Sequence, residues 1–272
     1  MEHNRTRLLK PLPRHFVIAM MKHWDALQFL QKHKLWNGVF RYGWITKALI
    51  LVAILIGLQY LALFADWIGG VSNRGFNSSS LLTLGSSSFD FWKDNVSWLF
   101  SGGNKYIILI LTEVITFHMV RSTFAILTGS EQDKSFKTFF DAQIRMIKVA
   151  AFSWGMEIGI GFGMGALLGI FGLSDVKESL MFVVECFFLG FALIDNYNEQ
   201  YGMKVKESYK RTLSVVGASL ALGLVFYVLL YIPIVGAIIA PCIGGVAAAI
   251  TMLSFETSGD LMPYVPVVEE AE

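Results

Sequence analysis

The longest uncharged stretch of the sequence runs from Thr212 to Phe255, 44 residues without an Asp, Glu, Lys, Arg or His. A single membrane helix needs about 20 apolar residues, so this stretch is about twice too long for one crossing. Proline and glycine mark a turn within it, at Ile232-Pro233-Ile234-Val235-Gly236. The pattern therefore predicts a helical hairpin in lipid, Leu213–Tyr231 and Ile234–Leu253, which either crosses the bilayer twice or re-enters it.

Four more apolar segments precede this hairpin: Trp44–Phe64, about Tyr106–Leu127, about Val149–Leu173 and Leu180–Ile194. The first two are long enough for full crossings, whereas the last, at about 15 residues, is below the minimum of about 17. The third and fourth segments therefore indicate a second, shallower hairpin. In the final hairpin, Pro241 and Gly244-Gly245 predict a kinked or broken returning arm, which favours a tip that stops inside the bilayer.

The alternation of polar and apolar positions also indicates amphipathic helices. Between Arg14 and Lys34 the pattern predicts a helix whose apolar face carries Phe16, Met20, Trp24 and Leu27. Its polar face carries Lys22, His23, Asp25 and Gln28. Such a helix lies on the membrane surface or packs on the protein's own spans. A second amphipathic helix is predicted over residues 130–148, with an apolar side formed by Phe136, Phe139, Phe140 and Ile147.

The composition agrees with these segments. Mean hydropathy is +0.55, 54% of the residues are hydrophobic and 16% are charged, which is unlike a soluble domain of this length. We predict an all-α integral membrane protein with two long transmembrane helices, two helical hairpins that cross or re-enter the bilayer, and amphipathic interfacial helices. Its parts are a basic segment 1–43, a membrane domain 44–255 with an outer loop 65–104, and an acidic tail 256–272.

Basic residues in the short loops predict the orientation of the chain. Eight lie in the first 43 residues, and only three, Arg74, Lys93 and Lys105, lie in residues 65–105. Residues 121–148 and 195–211 are basic again. Both termini are therefore predicted in the cytoplasm, and the Ser-rich loop 65–104 is predicted outside.

Several classes of function are disfavoured. The net charge of +1 provides no electrostatic basis for binding nucleic acid. Cys186 and Cys242 lie inside apolar runs, which favours buried thiols over a disulfide or a metal site. The sequence has no nucleophile elbow, zinc-protease motif or phosphate-binding loop, so we predict neither an enzyme nor a bound cofactor or metal.

Ionisable residues inside the apolar segments are candidate pathway residues, since each is costly in lipid unless it is paired or hydrated. They are Glu113, His118 and Arg121 in the second segment, Glu157 in the third and Glu185 in the fourth. In one interpretation Arg121 attracts an anion while a glutamate carries a proton. In the other, Arg121 is structural, forming an ion pair or snorkelling to the surface. His118 either shares a polar pocket with Arg121 or bonds to a backbone carbonyl. The remaining histidines are predicted on a solvated face: His3, His15, His23 and His33.

Glycines of the third segment recur every four residues in two sets, Gly155, Gly159 and Gly163, and Gly161, Gly165 and Gly169. In a membrane helix this spacing makes two flat faces on which neighbouring helices approach closely, within the chain or between subunits. An ion path along the exposed backbone is the alternative interpretation.

The C-terminal third carries residues that match a known family. Asp195, at the end of Phe191-Ala192-Leu193-Ile194-Asp195, precedes a basic loop, and Ile232-Pro233 marks a hairpin tip. The returning arm carries Pro241, Ala247-Ala248-Ala249 and Thr251, and Phe124 lies near the end of the second span. These residues and the order of the predicted helices together resemble the CysZ family of bacterial sulfate permeases. That family shares its domain with the etoposide-induced membrane protein of the endoplasmic reticulum. The family's Gly-Leu-Arg element falls at Lys34-Leu35-Trp36, where only Leu35 matches, and its Tyr-Pro is replaced by Asn196-Tyr197.

The resemblance implies an anion permease of a bacterial inner membrane, whose hairpins penetrate part of the bilayer and whose oligomers complete the pathway. Lys34, Arg41 and Arg121 would concentrate sulfate or a similar oxyanion, and one of Glu113, Glu157 or Glu185 would couple protons. The alternative hypothesis is a non-transporting scaffold or assembly subunit of an envelope complex, which holds partners through the glycine faces and the outer loop. In both cases the expected partners are the lipid bilayer and further copies or other membrane proteins.

Overall fold

The computed structural model describes residues 12–39, 104–130, 136–173, 176–230, 232, 236–262 and 264. This part of the chain forms helices and no strand, in agreement with the predicted all-α class. The helices are α1 (Leu12–His33), α2 (Trp36–Val39), α3 (Asn104–Thr128), α4 (Phe136–Ile170), α5 (Val176–Glu199), α6 (Val205–Leu213), α7 (Val216–Leu230) and α8 (Gly236–Ser258). The predicted span Trp44–Phe64, nearly all of the outer loop, Arg41 and Pro233 lie outside the described residues.

Two of the described helices are long and apolar enough to cross a membrane, residues Phe140–Ile170 of α4 and the whole of α8. Helices α6 and α7 would add a third span if they are taken together, although they meet at an angle of 101°. Helix α4 has 35 residues and is therefore about 52 Å long. It joins the predicted polar helix 130–148 and the third apolar segment into one continuous element.

The centre of the fold is the pair α7 and α8. Neither carries a charged residue before Glu256, and a helix that is apolar on all sides is stable only when it is surrounded by protein or lipid. Helices α1, α3 and α5 pack around this pair, whereas α4 packs on α3 and α5 at the periphery. In the most apolar stretch of α8 67% of the residues are buried, against 11% in that of α4. The length and hydropathy of α4 and α8 therefore do not show that α8 is mostly buried in the fold while α4 is mostly exposed.

Helices α5 and α7 approach each other through two glycines. A Cβ atom at Gly190 would lie 1.8 Å from the carbonyl oxygen of Ser219, and one at Gly223 would lie 1.7 Å from that of Cys186. The hydroxyl of Ser219 donates a hydrogen bond of 2.7 Å to the carbonyl of Phe187 across the same contact. Neither glycine belongs to the spaced sets of the third segment, so the sequence pattern did not identify this crossing.

Helix α1 packs on α7 and α8 through a face that only partly matches the predicted apolar face, of which Phe16 and Leu27 are half-buried against the core. Its buried residues are His15, Ala19, His23, Ala26 and Leu30, while Met20 and Trp24 are exposed. The prediction of a solvated face for His15 and His23 is therefore wrong. The alanines let the helices come close, and a Cβ at Gly217 of α7 would lie only 2.0 Å from the carbonyl oxygen of Leu12. Close backbone contact, rather than side-chain hydropathy, decides which face of α1 is inside.

The returning arm of the final hairpin is continuous. Helix α8 runs through Pro241 and Gly244-Gly245 without a break at either site, so the prediction of a broken arm is not met there. Proline removes one hydrogen bond, to the carbonyl four residues earlier, and its buried neighbours hold the helix together. At the start of α8, a Cβ at Gly236 would lie 2.2 Å from the carbonyl oxygen of Leu229, so the end of α7 requires glycine there.

Helices α4 and α5 form a hairpin whose turn contains Gly172, with φ of +66°. Its N–H and that of Leu173 donate to the carbonyls of Gly169 and Leu168, the Schellman arrangement that ends helices at a left-handed glycine. The last three turns of α4 expose large apolar side chains, among them Phe162 at 82%.

The spaced glycines of α4 meet little of the described chain. Built Cβ atoms at Gly155, Gly159, Gly163 and Gly169 find no atom of the described neighbours within 4 Å. On the second face, Gly161 faces the Met181 side chain and Gly165 faces that of Lys177, both on α5. Close packing at the first face therefore stays a prediction.

Candidate functional site

Polar groups that lie far apart in the sequence meet in three clusters between the helices. We name each after its basic residue: the Lys105 cluster (Lys105, Tyr106, Glu157, Glu185), the Arg145 cluster (Glu113, Arg145, Asp195, Asn196, Glu199) and the Arg211 cluster (Tyr197, Tyr201, Arg211, Glu256). In each cluster a mostly buried cation faces at least one carboxylate, as a charge removed from water requires.

The Lys105 cluster joins the beginning of α3 to α4 and α5. The Lys105 ammonium lies 2.7 Å from Glu157 Oε2 and 3.1 Å from Glu185 Oε1, and its side chain is 1% exposed. The Tyr106 hydroxyl donates a hydrogen bond of 2.6 Å to Glu157 Oε1. Lys105 was predicted as a basic residue of the outer loop, whereas it lies inside the protein and pairs with two of the predicted pathway glutamates.

The Arg145 cluster is built around a two-point ion pair. Arg145 donates from Nε to Asp195 Oδ2 at 2.8 Å and from Nη2 to Asp195 Oδ1 at 2.9 Å. Its Nη1 donates to the carbonyl oxygen of Met203, and Nε lies 3.8 Å from Glu199 Oε2. Bidentate arginine–carboxylate pairs are the strongest side-chain contacts of this kind. Glu199 is therefore the second, more weakly held carboxylate.

Glu113 is a deeply buried member of this cluster. Its side chain is 1% exposed and accepts a hydrogen bond of 3.2 Å from Asn196 Nδ2. Asp195, Asn196 and Glu199 share one face of α5, because residues three and four apart are neighbours on a helix. The other amide atom, Asn196 Oδ1, is buried with no hydrogen-bond partner among the described residues.

Carboxylates outnumber cations here. Glu113, Asp195 and Glu199 are opposed by Arg145, and at longer range Arg121 and Asp141 act on Glu199 with opposite signs. Burial raises the pKa of Glu199 to about 7, with Asp195 raising it further and Arg145 opposing the increase. At neutral pH this carboxyl is therefore divided between its protonated and charged forms.

The Arg211 cluster lies at the side of the fold where α6 and the end of α8 meet. Glu256 is paired with Arg211 and accepts hydrogen bonds from Tyr197 at 2.9 Å and Tyr201 at 2.8 Å. Phe124 packs edge-on against both tyrosines, with ring centroids 5.7 and 5.3 Å away. A cleft of about 460 Å³ opens beside this cluster, lined by Met203, Glu207, Arg211, Ser214, Asp260, Leu261, Met262 and Tyr264.

Met203 connects the cleft to the Arg145 cluster. It lines the cleft, and its carbonyl oxygen accepts the hydrogen bond from Arg145. Met203 therefore contacts both the cleft and the arginine.

The other predicted pathway residues are more scattered. The guanidinium of Arg121 lies 5.4 Å from the Phe117 ring centroid and is only half-buried. His118 Nε2 lies 3.3 Å from the carbonyl oxygen of Leu35, the kind of backbone contact that was predicted for this ring. Lys34 is exposed in the turn after α1, with φ of +49°. The structure thus brings Glu157 and Glu185 together, and places Glu113 with Asn196.

The residues that sequence reasoning missed are Arg145, Asn196 and Glu199. Their signal was present in the spacing, since polar residues directly follow the fourth apolar segment at helical intervals. Arg145 was used only as one of the basic residues that predict the orientation of the chain. Its partner Asp195 lies 50 residues away, and no local pattern reports that distance.

Among the described residues no group of three His, Cys, Asp or Glu side chains is arranged to hold a metal ion, and Cys186 and Cys242 are free thiols. No model of a known protein family matches the sequence, and no curated protein sequence matches it.

Proposed function

We propose that this chain is a multi-pass transporter of a bacterial inner membrane that moves sulfate or a similar oxyanion together with protons. The observation that carries the proposal is the Arg145 cluster, a buried set of groups with more carboxylates than cations beside apolar helices. Ionisable side chains at such positions are costly, and a functional role is the default hypothesis for them. The resemblance to the CysZ family supplies the class of substrate.

The charges of the cluster provide a reason for coupling. With both glutamates charged, the groups around Glu199 hold four negative charges, counting Asp141, against the two positive charges of Arg145 and Arg121, and they repel an anion. When Glu113 and Glu199 are protonated, Asp195 and Asp141 balance the two arginines, and the net negative charge is removed. An anion is then no longer repelled, a large change because Coulomb interactions are strong where water is scarce. Oxyanion and proton binding would therefore favour each other.

The proposed topology places both termini in the cytoplasm and makes the α7–α8 hairpin re-entrant. Helix α7 has 15 residues and is about 22 Å long, which is shorter than the hydrocarbon core of about 30 Å. A cysteine introduced at Val235 tests this proposal. We expect an impermeant thiol reagent added from outside to leave it unlabelled, and ready labelling would favour a full crossing.

Uptake of labelled sulfate into proteoliposomes tests the function. We expect uptake above that of empty liposomes, faster with an inward proton gradient, and loss of the gradient effect in Glu113→Gln. The matched control is Glu178→Gln, which makes the same change at an exposed position in the first turn of α5. Absence of uptake by well-folded, reconstituted wild-type protein would refute the proposal.

A membrane scaffold is the second candidate, and the open glycine face of α4 favours it. Flat, exposed small-residue surfaces on membrane helices suit close contact with another helix. If this face holds another subunit, Gly159→Leu and Gly163→Leu should release a protein that co-purifies from native membranes. Purification without any stoichiometric partner would count against the scaffold.

A further inference from the structure

Glu199 and Glu113 differ in their access to water. The side chain of Glu199 is 19% exposed and lies in the last turn of α5, whereas Glu113 is 1% exposed in the middle of α3. The carbonyl oxygen that holds Arg145 beside Glu199 belongs to Met203, which lines the open cleft. Glu199 is therefore the more accessible of the two carboxyl groups.

Asn196 contacts Glu113 and lies three residues before Glu199 in α5. Its Nδ2 donates to Glu113, while its Oδ1 is buried with no partner among the described residues. Buried amide oxygens are nearly always hydrogen-bonded, and an ordered water commonly serves where protein groups do not. A water that donates to Asn196 Oδ1 would be held by the same amide group that contacts Glu113. Asn196 and Glu199 also share a helix face, since they are three residues apart.

We propose that Glu199 loads a proton from the aqueous side and passes it to Glu113 through a water held at Asn196 Oδ1. In this step the Glu199 carboxyl gives its proton to the water, and the water gives one of its own protons to the Glu113 carboxylate. Glu199 becomes charged and Glu113 neutral, and the total charge of the cluster is unchanged. The inference rests on the proposed function and names the groups that carry its coupled proton.

The charged groups around Glu199 suit a site that loads and unloads. Glu113 and Arg121 face it from α3, Arg145 and Asp141 from α4, and Asp195 from its own helix. Of the other helices packed on α5, α7 carries no charged residue, and Glu256 of α8 is held by its own partners. Helix α6 carries Lys206, Glu207, Lys210 and Arg211, of which Arg211 is paired with Glu256 and Glu207 accepts from the backbone N–H of Lys204. The resulting pKa of about 7 lets a modest change in pH change its occupancy.

Infrared titration of the purified protein in detergent tests the loading step without any transport assay. We expect a carboxylic-acid carbonyl band that titrates near neutral pH in the wild type and in Glu178→Gln but is absent in Glu199→Gln. Glu199→Asp keeps a carboxyl and should restore a titrating band if the glutamine variant is poorly folded. A band that titrates unchanged in Glu199→Gln overturns the assignment.

Transport tests the transfer step and separates two failures. In proteoliposomes we expect Glu199→Gln to lose about 10²-fold or more of the proton-driven rate, the scale of a lost proton-transfer group, while sulfate exchange without a gradient continues. An unchanged pH profile of uptake in this variant overturns the relay. If the wild type moves no sulfate, the proposed function fails, and the infrared result still decides whether Glu199 is the loading group.

Discussion

Replacing Gly190 with alanine tests the close approach of α5 and α7. The added Cβ would lie 1.8 Å from the carbonyl oxygen of Ser219, and that oxygen belongs to a helical backbone that cannot rotate away. Ordinary contact needs about 3.5 Å, so the two helices must separate locally by about 1.7 Å. Their shared seam includes Gly223, which approaches Cys186 equally closely, so the separation disturbs both contacts.

We expect this substitution to lower the free energy of unfolding by about 3 kcal/mol, at the upper end of what overpacking costs. For a chain of this size that corresponds to a fall in Tm of roughly 6–12 °C. Thermal unfolding in detergent, followed by tryptophan fluorescence, measures it. The matched control is Gly163→Ala on α4, where no described neighbour meets the new methyl group. It should be neutral or stabilising by up to about 1 kcal/mol, because alanine favours helix over glycine. Equal Tm values for the two variants would refute the packing argument.

Three further predictions concern charged and titratable groups. Asp195→Asn leaves Arg145 without its two-point partner and should cost about 3–5 kcal/mol, as removal of one member of a buried pair does; a Tm within error of the wild type contradicts this. Lys105→Met leaves the carboxylates of the buried Glu157 and the partly buried Glu185 facing each other, so its Tm should fall at neutral pH and recover in the double variant with Glu157→Gln; no recovery would mean that the cost is steric. Burial lowers the pKa of both His15 and His23 from 6.5. Above about pH 6.5 both the folded and unfolded states are neutral, but below it the unfolded chain binds protons more readily, so stability should fall on acidification. Hydrogen exchange of α1 should accelerate accordingly, and less so in His23→Leu; a pH-independent protection of α1 would contradict this.

Local patterns located several elements to within a few residues. The predicted segment Tyr106–Leu127 corresponds to α3 at Asn104–Thr128, and the arm Ile234–Leu253 to α8 at Gly236–Ser258. Both are long apolar runs with clear ends, and helix formation needs little beyond that. The polar helix 130–148, predicted to lead into the third segment, is continuous with it in α4, because helical hydrogen bonding continues across a change in hydropathy.

Sequence reasoning identified only part of the candidate site. Glu113, Glu157 and Glu185 were found because a carboxylate in an apolar run is conspicuous by itself. Lys105 and Arg145 were taken for loop charges, since their partners lie about 50 residues away or further along the chain. Pairing across helices depends on how each helix is rotated about its axis, and hydropathy does not report that rotation.

That the chain is helical and apolar enough for a membrane follows from its sequence, because length and hydropathy are properties of each local segment. Which polar groups meet, which face of α1 is buried and which glycines matter depends on how the helices pack. His15 and His23 lie inside because the alanines beside them allow α1 to approach the central pair. Gly190 and Gly223 are required because two backbones meet there, and that contact exists only once α5 and α7 have packed.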